Sequence, residues 1–192
     1  GDYRLIALAP ASVQEMADFV GLAFDLAFKY RNPAIILADG VIGQMMEKVV
    51  LPEQRPRLTN EEVMARCPWA TFGKLKHRGP NIVTSLELDP AEMEKRNIHL
   101  QQKYAEIEEK EVRYEEIHCD DAEYLIVAFG SCARIAQKAM EEARAEGIKV
   151  GLLRPITLWP FPSKAIAERS RQVKGILTVE LNAGQMVEDV RV

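Results

Sequence analysis

Gly130-Ser131-Cys132 is the string in this chain that most invites a chemical reading. It lies where an apolar run, Leu125 to Phe129, gives way to helical spacing. The first N–H groups of a helix attract anions and can lower a thiol's pKa. The string is not the nucleophile elbow G-x-S-x-G, because Ala133 stands where that motif needs glycine, and it is not G-x-G-x-x-G. A packed or capping role is the simpler account. His77, His99 and His118 lack zinc-ligand spacing and there is no C-x-x-C, so no metal-binding residue is assigned. Cys119 beside His118 reads as a chance neighbour. Glu108-Glu109 and Asp120-Asp121 lie in charged surroundings and read as solvated. No catalytic residue is assigned either.

Position in the fold supplies better candidates. Asp39-Gly40 follows an apolar strand, Ala34 to Ala38, and Pro10 to Ser12 follows another, Leu5 to Ala9. In open α/β sheets ligands gather at the carboxyl ends of parallel strands. Pro10, Ser12, Asp39 and Gly40 are therefore the pocket or interface candidates. A turn-forming Asp-Gly explains position 39 equally well. Asn182-Ala183-Gly184-Gln185 also follows a strand and is placed to begin another helix.

The elements that must position these residues form two groups. Ser12-Val13-Gln14-Glu15 fits a capping box, with Glu15 reaching back to Ser12, and opens a helix running to about Tyr30. Apolar residues cover more than one side of that helix, which predicts burial on more than one face. With its flanking strands it makes a βαβ unit, hence parallel strands and a right-handed crossover. Residues 41–88 are irregular and proline-rich, longer than an ordinary connection. Two readings stay open there: a wrapping linker, with Met45-Met46, Trp69 and Phe72 as partner anchors, or a small satellite core. Asp89-Pro90-Ala91-Glu92 starts a charged helix predicted to reach about Glu115, with Met93, Leu100, Tyr104 and Ile107 as one narrow apolar stripe. From Tyr124 onward the order is βαβαβ: strands Leu125–Phe129, Val150–Leu153 and Ile176–Val179, with Gly147 closing the first helix and Ser163 capping the second. This order predicts a parallel sheet covered on both faces.

Composition excludes several classes. The 192 residues are 47% apolar and 28% charged, with a formal charge of −4. That is ordinary globular composition, without a basic block for nucleic acid or for an anionic membrane surface. No apolar run is long enough to span a bilayer. Three widely spaced cysteines point to a reducing compartment, the cytoplasm, and not to a disulfide framework. The opening at Gly1-Asp2 and the stop at Val192 suggest a fragment.

Several strings carry a family resemblance. LAPASVQEMADFVGLAFDLAFKYRNPAIILADG resembles the last βαβ of the pyrimidine-binding domain in thiamine-diphosphate 2-oxoacid enzymes. The 124–190 segment, with Arg154-Pro155-Ile156-Thr157-Leu158-x-Pro160 as a turn and Val179-Glu180 at a strand end, resembles the transketolase-like C-terminal domain of that superfamily. DGVIGQMME, LRPITLWPFP and ELNAGQMVEDVR are most similar to the alpha subunit of 2-oxoacid:ferredoxin oxidoreductases, and GQMME leans toward the 2-oxoisovalerate type over the 2-oxoglutarate type. The resemblance implies an α/β fold of parallel βαβ units. It divides the chain into 1–40, the end of the pyrimidine-binding domain, 41–121, a linker with a long charged helix, and 122–192, the transketolase C-terminal-like domain. It implies oxidative decarboxylation of a 2-oxoacid to an acyl-CoA, with ferredoxin as acceptor. Thiamine diphosphate, magnesium and iron–sulfur clusters would belong to the full complex of beta and gamma or delta subunits, none bound by this chain alone. The activating glutamate would lie upstream of Gly1 and the diphosphate site in the beta subunit. An NAD-linked 2-oxoacid dehydrogenase beta subunit and a non-catalytic interaction module are the alternatives.

Overall fold

The computed structural model describes residues 3–71, 73, 76 and 78–191. Two compact units emerge: residues 1–51 with 103–192, and residues 52–102.

The larger unit begins with β1 (Ile6–Leu8), α1 (Val13–Tyr30), β2 (Ala34–Ile36) and the short α2 (Gly40–Gln44). β1 and β2 pair in parallel, Ile6 opposite Ala34 and Leu8 opposite Ile36, as the βαβ reading requires. Helix α1 starts where predicted: Ser12 Oγ accepts the Glu15 N–H at 3.1 Å. Glu15 does not return to Ser12, which corrects the capping-box expectation; its Oε2 accepts the Ala11 N–H at 2.7 Å instead. Arg31, in the left-handed region at φ 46°, ends the helix.

Residues 52–102 hold α3 (Asn60–Arg66) and the start of α4 (Pro90–Lys110). Thr59 and Glu62 form a reciprocal capping box on α3. Asp89 caps α4 as expected, its Oδ1 accepting the Ala91 and Glu92 N–H groups at 2.8 and 3.1 Å. Cys67 is this unit's buried apolar residue among those described, while Ile82, Val83, Leu86 and Leu88 are exposed. Of the anchor candidates, Trp69 and Met45 are half-buried, Met46 is 98% exposed, and Phe72 lies outside the described residues, as does His77.

In the larger unit, α4 ends at Lys110, not near Glu115. Tyr114–Ile117 instead form β3. It pairs antiparallel with β5 (Val150–Pro155), Tyr114 opposite Pro155. Strand pairing there overrides the helical preference of Glu115 and Glu116. The rest of the segment follows as β4 (Tyr124–Ala128), α5 (Gly130–Ala145), β5, β6 (Thr157–Trp159), α6 (Ser163–Ser170), β7 (Gly175–Val179) and α7 (Met186–Arg191).

The second sheet has the order β3-β5-β4-β7. Its β4, β5 and β7 are parallel as predicted, but β3 makes its edge antiparallel. Both faces are covered. Ile126, Ala128 and Leu152 pack with Cys132, Ala136 and Met140 of α5. Leu125, Val127 and Leu153 pack with Ile166 of α6 and Met186 of α7. Alternate strand residues thus serve opposite cores, and each fully buried aliphatic contributes about 1.5–3 kcal/mol relative to exposure.

Two further expectations are corrected. Thr157-Leu158-Trp159 was expected inside a turn, yet it forms β6 and pairs antiparallel with β1 to complete the first sheet, β2-β1-β6. Three residues are too few for periodicity to reveal, but a β-branched residue and an aromatic between two prolines suit an edge strand. Ser163 is the first residue of α6 and not its cap; Pro162 holds the cap position, without a side-chain hydrogen bond.

Candidate functional site

The two sheets meet at the carboxyl ends of β1 and β2, where the candidate residues lie. Asp39 is the centre. Its Oδ1 accepts the N–H groups of Val41 and Ile42 at 3.0 and 2.9 Å, capping α2. Its Oδ2 accepts the Ser131 N–H at 2.8 Å, capping α5 from the other sheet. Burial pushes the Asp39 carboxyl up, but the hydrogen bonds from Ile42, Ser131 and Val41 outweigh it and hold the group below the ordinary aspartate value. Gly130 permits this approach. It sits at φ +59°, and a Cβ there would lie 2.9 Å from Asp39 Oδ2.

The anion-attracting helix start at Gly130-Ser131-Cys132 is therefore already served by a carboxylate of the same chain. The Cys132 thiol is correspondingly unreactive in character: burial, then the charges of Asp39 and Glu180, push its pKa up. Cys67, Cys119 and Cys132 are all free and buried.

The other candidates line the same seam. Pro10 is fully buried. Ser12 spends its oxygen on the α1 cap. Gly40 is exposed in the first turn of α2. The Ala9 N–H donates to Ile156 O at 2.7 Å, so the end of β1 is bound directly to the β5–β6 turn.

Three charged residues at the seam escaped the sequence reading. Arg154, only 7% exposed, donates through both terminal nitrogens to the Glu15 carboxylate at 2.8 and 2.9 Å, and through Nε to Glu115 at 2.8 Å. Arg134 of α5 donates to Glu47 Oε1 at 2.8 Å, and Glu47 Oε2 accepts the Val13 N–H at 3.0 Å. These two bonds, the N–H first, hold the Glu47 carboxyl below its ordinary value. A signal for Arg154 was present: a charge inside the apolar run Val150–Pro155 demands a partner. The network encloses a small cleft of about 210 Å³ lined by Ser12, Glu15, Arg134, Gln137 and Arg154.

At the far end of the second sheet, Glu180 accepts the N–H groups of Gln185, Met186 and Val187 at 2.8–3.2 Å and so starts α7. Asn182 Oδ1 accepts from Gly184 and Gln185. The predicted helix after Gln185 is there, and Glu180 supplies its cap.

Among the described residues no buried side-chain polar atom lacks a partner, and no group of three His, Cys, Asp or Glu side chains could hold a metal ion. A diphosphate needs free N–H groups or cations, and an Mg²⁺ needs free oxygens. At this edge Asp39, Glu15, Glu47, Arg134 and Arg154 are each engaged with another group of the chain. The arrangement fixes one sheet against the other by charge-assisted hydrogen bonds.

Comparison with known proteins places this architecture. Residues 1–118 match a family described as pyruvate flavodoxin/ferredoxin oxidoreductase, thiamine diphosphate-binding. Residues 122–192 match pyruvate:ferredoxin oxidoreductase core domain II. The chain is 51% identical over 191 residues to the ketoisovalerate oxidoreductase subunit VorB of Methanothermobacter thermautotrophicus, covering all of this chain and 53% of that protein. It is 33% identical over 208 residues to the 2-oxoglutarate synthase subunit KorA of Methanocaldococcus jannaschii, covering 99% of this chain and 56% of that protein. The chain thus spans about half the length of the curated relatives it matches. A solved 2-oxoglutarate:ferredoxin oxidoreductase from Magnetococcus marinus superposes with a TM-score of 0.74 at 21% identity, over 97% of this chain and 36% of that one, which shows the shared fold. The family matches and the 51% identity over the whole chain show that it belongs to the pyruvate flavodoxin/ferredoxin oxidoreductase family.

Proposed function

We propose that this chain is part of the alpha-type subunit of a 2-oxoacid:ferredoxin oxidoreductase acting on 2-oxoisovalerate. The observation that carries this reading is the 51% identity to a ketoisovalerate oxidoreductase subunit, against 32–33% to the 2-oxoglutarate synthase subunits. The reaction would join a 2-oxoacid and coenzyme A to give an acyl-CoA and carbon dioxide. The released electron pair would pass through iron–sulfur clusters to ferredoxin. Beta and gamma or delta subunits, magnesium and a cytoplasmic location belong to this proposal; the described residues include no helix long and apolar enough to cross a membrane. So does the division into 1–40, 41–121 and 122–192.

Thiamine diphosphate supplies the carbanion chemistry in such enzymes. The role proposed for this chain is to shape the complex around that cofactor. Asp39, Glu15–Arg154 and Arg134–Glu47 set the angle between the two sheets, and Pro10, Ser12 and Gly40 form the seam they close. The test is the full-length subunit co-expressed with its co-subunits and assayed for coenzyme A-dependent reduction of ferredoxin. Turnover with 2-oxoisovalerate at least about tenfold more efficient than with 2-oxoglutarate is expected, the discrimination that a mismatch of apolar chain against carboxylate produces. Preference for 2-oxoglutarate would overturn the substrate, and reduction of NAD in place of ferredoxin would overturn the acceptor.

A further inference from the structure

We draw no further inference here: the strongest candidate, the cleft of about 570 Å³ that Tyr114, Trp159 and Phe161 wall at the start of α6, has both Glu109 and Lys164 in its lining and so selects no ligand by charge, and nothing in the structure shows what covers it.

Discussion

Asp39 offers the sharpest test of the seam, because its two oxygens serve two different helices. Asp39→Ala removes the α2 cap, which costs about 1 kcal/mol. It also removes the charge-assisted bond to the Ser131 N–H at the start of α5, at 2.8 Å; a hydrogen bond to a charged group contributes about 1.5–3 kcal/mol. The expected loss is about 3 kcal/mol by urea denaturation of the full-length subunit, with the Ser131 amide losing hydrogen-exchange protection. Asp39→Asn is the informative control. An amide has one oxygen, so it can accept at α2 or at Ser131, and its NH₂ then confronts an N–H donor on the other side. Its cost is expected to fall between wild type and Ala, about 2 kcal/mol.

The pH dependence fixes the cause. The folded pKa of Asp39 is depressed. Its contribution is therefore fully present above the unfolded value, about 3.9, and is lost as pH falls through the folded pKa. The gap between wild type and Asp39→Asn should be constant from pH 7 to about 5 and narrow below about 4. Two variants within about 0.5 kcal/mol of wild type, or a gap unchanged at pH 3, would refute the reasoning.

Three further expectations follow from the same contacts. Gly130→Ala combines left-handed backbone strain of about 1–2 kcal/mol with a clash on Asp39 Oδ2; combined with Asp39→Ala its cost should fall, a non-additivity that a double-mutant cycle by denaturation reads directly. Arg154→Met leaves two carboxylates unpaired and Glu15→Gln leaves a buried guanidinium half-paired, so each should cost about 2 kcal/mol, with a coupling energy near 1.5 kcal/mol in the double variant; a coupling of zero would remove Arg154 from the seam. Glu111→Ala should cost about 1–3 kcal/mol, because it leaves the buried Tyr30 hydroxyl without its acceptor while Lys29 and Arg113 keep access to water, and thermal unfolding that matches wild type would contradict it.

Much of this was legible in the sequence because it is local. The α1 start at Ser12 and the α4 start at Asp89 rest on side chains that bond within a few residues of themselves, and the Gly147 stop rests on a left-handed backbone whose N–H returns to Arg144 O. The three core strands of the second sheet were legible because β-sheet buried on two faces reads as uninterrupted apolar runs. What escaped depends on partners far along the chain. Thr157–Trp159 is a strand only because β1 has a free edge, and Tyr114–Ile117 only because β5 does. The edge residues Asp39 and Pro10 could be ranked as candidates from topology, but that Ser131, 92 positions away, takes the Asp39 carboxylate needs the fold.

The seam's chemistry says what kind of joint it is. A joint made by apolar packing tolerates sliding, because burial energy has no direction. Here the direct bonds between the sheets' elements include a two-pronged guanidinium–carboxylate pair, a carboxylate at the start of a helix and the Ala9 N–H bonded to Ile156 O. Each is satisfied at one geometry. Partly exposed ion pairs add little net stability, since desolvation offsets attraction. Their contribution is orientation: they hold one sheet against the other. Replacing Glu15 and Arg154 together by an apolar pair should therefore leave the melting temperature within a few degrees of wild type while loosening the angle between the sheets. Small-angle scattering together with hydrogen exchange at Ala9 and Ser131 would detect that loosening; unchanged protection at both amides would show that strand pairing alone sets the angle.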